Sequence, residues 1–101
     1  MSEPTLSTTV TISNPQGLHM RPAYLFAETA SKFDSKIEVI KDGIRIDGKS
    51  VLSILTLGAA QGAKVLVEAT GPDAQDAVQA LGELLMSGFP APAETGDSNA
   101  N

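Results

Sequence analysis

The sequence predicts an α+β domain with the element order β-α-β-β-α-β-α, in which three helices cover one face of a four-stranded antiparallel sheet. Three observations carry this. Four short runs alternate apolar and polar residues, the two-residue period of a half-buried strand. Two longer runs place small and apolar residues at helical spacing, and a third, shorter one lies between a serine and a glycine suited to cap and end a helix. Asp42-Gly43, between two of the alternating runs, favours the positive φ angles of a tight hairpin turn.

The first strand is Leu6-Ser7-Thr8-Thr9-Val10-Thr11-Ile12, where β-branched residues dominate. Asn14-Pro15-Gln16-Gly17 ends it as a loop. From Met20 the period changes: Ala23, Phe26, Ala27 and Ala30 share one helical face. Pro22 suits a first helical turn, because the N–H it lacks has no partner there. Ile37 and Val39, then Ile44 and Ile46, mark the two strands of the hairpin. Ser50 caps a short helix through Val51, Leu52, Ile54 and Leu55, and Gly58 lies past its end. Val65, Val67 and Ala69 alternate in the fourth strand. Gly71-Pro72-Asp73 opens the last helix, with Asp73 as its expected N-cap and Ala74, Ala77, Val78, Leu81, Leu84 and Leu85 as its inner face. Residues 1–89 are expected to form one domain. Residues 90–101 cannot bury enough apolar surface to order themselves and are expected to be a disordered tail.

Composition narrows the function. A length of 101 residues with 42% hydrophobic content supports one modest core, mostly aliphatic, since only Tyr24, Phe26, Phe33 and Phe89 are aromatic. The absence of cysteine excludes disulfides, thiolate zinc sites and cysteine nucleophiles. A single histidine excludes a multi-histidine metal cage within one chain, so neither a metal nor a cofactor is expected. A net charge of −5 argues against nucleic-acid binding. No run approaches the ~20 apolar residues of a membrane span, so no membrane insertion is expected. Met1-Ser2-Glu3-Pro4 has neither the basic start nor the apolar run of a secretory signal, which makes the cytosol the expected compartment.

The chemistry concentrates where the first loop meets the first helix. His19, the one histidine, stands at a helix N-terminus, where free backbone N–H groups, expected to be those of Met20 and Arg21, can receive anionic oxygens. The guanidinium of Arg21, two residues on, can bind the same oxygens through its planar fork. Imidazole, with an ordinary pKa near ~6.5, has enough neutral form at physiological pH to attack phosphorus. The set describes an anion cradle holding a nucleophile. The same residue types also fit a blander arrangement, in which His19 only caps the helix and Arg21 is a solvated charge. Hydrolysis is less favoured, because no partner base or metal constellation accompanies the histidine.

The run Gly17-Leu18-His19-Met20-Arg21-Pro22-Ala23 resembles the active-site signature of the HPr family, the histidine-containing phosphocarriers of the bacterial phosphoenolpyruvate-dependent phosphotransferase system. Thr29-Ala30-Ser31-Lys32-Phe33-Asp34, Asp42-Gly43, Gly48-Lys49-Ser50-Val51-Leu52 and Leu57-Gly58-Ala59-Ala60-Gln61-Gly62 are similar to further pieces of that family at matching spacing, so the resemblance covers residues 6–89. It implies an open-faced β-sandwich and a monomeric carrier that is not an enzyme. It implies that His19 carries a phosphoryl group on Nδ1 and that Arg21 helps hold it. It implies enzyme I as donor and EIIA-type domains as acceptors, in sugar uptake or its regulation.

Ser50 is an ordinary N-cap by its position, and Gly48-Lys49-Ser50-Val51-Leu52 also resembles the family branch in which an HPr kinase/phosphorylase modifies that serine. A phosphate there adds about −2 charge at a helix N-terminus, close to the docking face. The resemblance implies an apolar docking patch at Met20, Val51 and Leu52, extended by Tyr24 and Leu55. Glu28 and Ser31 stand where some members carry basic residues that meet enzyme I. Glu68-Ala69-Thr70-Gly71-Pro72 and Ser87-Gly88-Phe89 are similar to the nitrogen-related branch. The alternative readings are therefore a nitrogen-type regulatory phosphocarrier, or a kinase-switched binding regulator acting on a transcriptional regulator or an enzyme.

Overall fold

Seven elements follow the predicted order: β1 (Thr5–Thr11), α1 (Met20–Ala30), β2 (Lys36–Lys41), β3 (Ile44–Asp47), α2 (Val51–Thr56), β4 (Lys64–Thr70) and α3 (Ala74–Met86). The computed structural model describes residues 3–90. Apart from Pro90, the expected tail lies outside the described residues. The strands form one antiparallel sheet in the order β1-β4-β2-β3, so β4 is central and β1 and β3 are its edges.

Alternation divides the sheet into two faces. Val10, Ile37, Val39, Val65, Val67 and Ala69 point to one face and are buried there. They meet Ala23, Phe26, Ala27 and Ala30 of α1, Ile54 of α2, and the α3 stripe of Ala74, Ala77, Val78, Leu81 and Leu85. Among the described residues no helix lies over the other face. Its hydroxyl residues on β1 and its ion pairs suit water: Arg45 Nη1 lies 2.8 Å from Glu38 Oε1 and 2.5 Å from Glu68 Oε1. The hydrogen bond that Arg45 donates to Glu68, then the one it donates to Glu38, pushes the Arg45 pKa further up. Such exposed pairs contribute little to stability. Asp42 (φ +51°) and Gly43 (φ +80°) form the hairpin turn in the left-handed region, as their identities require.

Two details of α3 differ from expectation. Leu84 is only half-buried, whereas Gly82 is buried in the inner face. A Cβ on Gly82 would stand 3.3 Å from Thr8 Cγ2, so the glycine lets α3 lie close on β1. Asp73 occupies the N-cap position but makes no side-chain cap. Its carboxylate instead accepts from Ser35 Oγ (2.5 Å), Ser35 N–H (2.9 Å) and Asp34 N–H (2.8 Å). Those donors lie 39 and 38 residues away in sequence, so they outcompete the local cap only because the α1–β2 turn packs against the start of α3. Gly71, two residues earlier, has φ +151°, a value side-chain-bearing residues rarely adopt, and a Cβ there would press within 2.7 Å of Ser35 Cα.

The bond from Ser35 Oγ, then that from the Asp34 N–H, holds the Asp73 carboxyl below its ordinary pKa against a smaller opposing effect of burial. A lowered folded-state pKa contributes stability that is present above about pH 4 and is lost as the pH falls through the folded value. Asp73→Ala should therefore lower the melting temperature at neutral pH, and the gap to wild type should close as the pH is taken down to about 2. Thermal unfolding followed by circular dichroism across this range checks it; a constant gap would show that Asp73 acts through packing alone.

Candidate functional site

The pairing of β1 with β4 continues one step beyond the strands. Ile12 N–H donates to the Ala63 carbonyl and Gly62 N–H to the Ile12 carbonyl, both at 2.8 Å. The loop leaving β1 and the loop entering β4 thus emerge side by side. The first of these turns at Asn14-Pro15-Gln16-Gly17, with Gly17 N–H donating to the Asn14 carbonyl at 2.9 Å and Asn14 Nδ2 donating back to the Gly17 carbonyl. Gly17 has φ +67°, and a Cβ there would stand 2.3 Å from the Ala59 carbonyl oxygen. Glycine is required twice at this point, by dihedral and by space. The next residue, Leu18, is buried and donates its N–H to Ala59 at 2.9 Å. The chain is then anchored up to the residue before His19.

His19 is exposed and extended (φ −81°, ψ −168°) at the N-cap position of α1. Its carbonyl accepts the first helical bond, from Ala23 N–H at 2.9 Å, while its side chain makes no cap. The imidazole is therefore not used as a helix cap. Among the described residues, the N–H groups of Met20 and Arg21 have no backbone partner, as expected of a first helical turn. They stand at the positive end of the helix dipole, beside the imidazole.

Arg21 is placed differently from the sequence reading. Its Nη1 donates to the Phe89 carbonyl at 2.8 Å and its Nη2 to the Pro90 carbonyl. The guanidinium is thus engaged by the chain end that follows α3. His19, Arg21, Asn14, Gln16, Phe89 and Pro90 line one open cleft of about 400 Å³. In sequence Phe89 and Pro90 mark the domain's end and the tail's start, and nothing local ties them to Arg21. Asn14 belongs by sequence only to a loop. It is buried, and among the described residues its Oδ1 has no hydrogen-bond partner.

Ser50 caps α2 as expected, its Oγ accepting from Ser53 N–H at 3.2 Å. α1 packs on α2, and three large apolar side chains of this pair face solvent: Leu52 (75% exposed), Met20 (61%) and Tyr24 (53%). Val51 and Leu55 are half-buried and pack against the core. The expected five-residue patch therefore divides into three exposed members and two that are partly structural.

The family model described as the PTS HPr component phosphorylation site matches residues 6–87. The chain belongs to the HPr family. A phosphocarrier protein HPr of Treponema pallidum (strain Nichols) is 37% identical over 81 residues, covering 80% of this chain and 92% of that protein. The structure of HPr-C-His from Thermoanaerobacter tengcongensis has a TM-score of 0.81 and 45% identity, covering 83% of this chain and 94% of that one. A phosphocarrier protein HPr from Bacillus anthracis has a TM-score of 0.77 and 32% identity, covering 80% and 96%. The four-stranded sheet with three helices on one face is the open-faced sandwich of those HPr structures. The chain is a phosphocarrier of the phosphotransferase system. Among the described residues no helix is long and apolar enough to cross a membrane.

Gly17→Ala tests how the HPr site is held. The added Cβ meets the Ala59 backbone at a positive φ, so the loop must move or the fold must lose stability, by about 1–3 kcal/mol. Urea unfolding measures the loss, and the Leu18 and His19 amide resonances should shift with it. Wild-type stability with unshifted amides would mean that the loop is not braced by residues 59–60.

Proposed function

We propose that His19 accepts a phosphoryl group on Nδ1 from phospho-enzyme I, itself charged by phosphoenolpyruvate, and passes it to EIIA-type domains. The observation that carries this is the placement of an exposed imidazole at the N-terminus of α1, in one cleft with Arg21. In the accepting step the Nδ1 lone pair forms the N–P bond, and the bond from phosphorus to the donor breaks, its electron pair leaving with the donor group. The ring proton stays on the other nitrogen. The free N–H groups of the first helical turn face the phosphoryl oxygens. Arg21 exchanges the Phe89 and Pro90 carbonyls, neutral acceptors, for anionic oxygens that bind a guanidinium more strongly. Donor and acceptor supply the remaining groups of each transfer site. This chemistry belongs in the cytosol, where phosphoenolpyruvate is made.

Met20, Tyr24 and Leu52 form the exposed part of the docking surface used by both partners, with Val51 and Leu55 supporting it from the half-buried side. Ser50, at the α2 N-terminus, is the site for regulatory phosphorylation by an HPr kinase/phosphorylase. A phosphate on it would give up the Ser53 cap geometry and place negative charge on the rim of the patch. That charge would change which partner, a transfer protein or a transcriptional regulator, binds there.

Incubation with phosphoenolpyruvate and enzyme I should give an acid-labile phosphorylated product. His19→Ala should abolish it with the fold intact, and Arg21→Lys, which keeps charge but loses the planar fork, should slow transfer by about tenfold or more. Full labelling of His19→Ala would overturn the assignment. Leu52→Glu changes a side chain that is 75% exposed. It should leave melting unchanged within about 0.5 kcal/mol while weakening enzyme I and EIIA binding together, as isothermal titration would show; unaltered binding to both would place the docking surface elsewhere.

A further inference from the structure

We propose that the free edge of β1 is a self-association surface that takes the β1 strand of a second copy of this chain, in an antiparallel pair about a two-fold axis at Thr8. This inference is independent of the phosphocarrier reading. Among the described residues β1 is an edge strand, paired only with β4. Its hydrogen-bonding phase is fixed at both ends. Ile12 exchanges bonds with Ala63 and Gly62 on the β4 side, and the Pro4 carbonyl accepts from Gly71 N–H at 3.1 Å. Residues bonded to a given neighbour alternate along an antiparallel strand. Even-numbered residues therefore serve β4, and Thr5, Ser7, Thr9 and Thr11 direct their N–H and carbonyl groups to the open edge.

This edge lacks the usual protections. Charged residues, prolines, bulges and shortness keep edge strands from pairing. β1 runs seven residues in unbroken register with β4 and contains no charged residue and no proline. The opposite edge, β3, has four residues and carries Arg45 and Asp47. The edge is also complementary to itself. A two-fold axis at Thr8 sets Thr5 opposite the second copy's Thr11, and Ser7 opposite its Thr9. These four facing pairs, each exchanging two bonds, would give about eight backbone hydrogen bonds. Hydroxyl and β-branched residues make favourable cross-strand pairs. For a chain of net charge −5, an uncharged strand offers a meeting surface without like-charge contact.

The flank of the same edge is mixed in polarity. Val78, Gly82 and Met86, with the polar Thr8, Gln75 and Gln79, line a cleft of about 330 Å³ between β1 and α3, and Met86 is 66% exposed. The axis would join this cleft to its copy. Glu83 is the one charged residue lining it. The chain's own residues 91–101 suit the edge poorly, since they include Pro92, Gly96, Glu94 and Asp97, all depleted in strands.

Sedimentation equilibrium of the full chain from about 10 μM to about 1 mM tests the proposal. A dimer fraction that rises with concentration is expected. Thr9→Pro removes an edge-facing N–H that β4 does not use, and should weaken association by roughly tenfold or more. Thr9→Lys places a charge at the same edge and should do likewise, which keeps the test valid if the proline variant fails to fold. Ile44→Lys on the opposite edge should leave association unchanged. Amide exchange at Thr5, Ser7, Thr9 and Thr11 should slow only at the higher concentrations. A chain that stays monomeric throughout, or a dimer indifferent to both Thr9 variants, would overturn the proposal. So would protection of those four amides at low concentration, which would mean that the chain covers its own edge.

Discussion

The site depends on the pairing of β1 with β4. Because the two strands are antiparallel and in register from Thr5↔Thr70 to Thr11↔Lys64, the exit of one and the entry of the other share an end of the sheet. Ile12, Ala63 and Gly62 carry the ladder past the strands. The loop that ends in His19 must therefore run beside residues 59–60, and α2, which precedes them, must lie beside α1. From this single register follow the Gly17 contact with Ala59, the Leu18 hydrogen bond and the adjacency of Ser50 and Leu52 to the helix that begins after His19. A one-residue slip would turn Val10 and Val67 away from the core as well as displace the loop. The register is consequently held by the same apolar residues that stabilise the fold.

The second constraint comes from the chain's other end. α3 ends at Met86, and the chain turns away through Gly88 (φ +74°) and Phe89, which is also left-handed (φ +52°). That conformation costs a non-glycine residue about 1–2 kcal/mol. Burial of the phenyl ring, worth about 1.5–3 kcal/mol, offsets it, and Phe89 is buried. The turn that results aims the Phe89 and Pro90 carbonyls at the Arg21 guanidinium. An aromatic side chain 68 positions along the chain from Arg21 thus determines where the cleft's cation rests.

Most of the fold was legible because most of it is written locally. Two-residue alternation marks every strand, and the Ala23-Phe26-Ala27-Ala30 stripe marks α1. Asp42-Gly43 specifies its turn, and Ser50 its cap. The site was legible in its parts, His19 and the first turn of α1, for the same reason. What escaped the sequence was every feature whose partner lies far along the chain. Asp73 has the identity of an N-cap but serves Ser35 and Asp34. Arg21 has the spacing of a phosphate ligand but rests on residues 68 and 69 positions away. Gly82 was invisible because a glycine on a helical face signals nothing until the strand it must approach is known. Val51 and Leu55 could not be separated from Leu52 by residue type, since all three are aliphatic; only the packing of α2 on the core divides them.

An exposed cleft suits a carrier better than a closed pocket. In the proposed role the phosphoryl group must arrive from one protein and leave to another, so the site must bind it strongly enough to orient it and weakly enough to release it. A helix N-terminus contributes about 0.3–1 kcal/mol to an anion at an exposed position. A charge-assisted hydrogen bond contributes about 1.5–3 kcal/mol. Arg21, however, already satisfies its guanidinium on two carbonyls, and must release them to reach a phosphate. Its gain is a difference between two sets of hydrogen bonds rather than the whole of one. Parking the cation on neutral backbone acceptors therefore limits how tightly the phosphorylated state is held, while keeping the guanidinium in the cleft and spared the disorder of a free side chain. The small net preference would keep the proposed transfer close to reversible and leave selectivity to the proposed docking surface of Met20, Tyr24 and Leu52, whose apolar contacts would not depend on the phosphate.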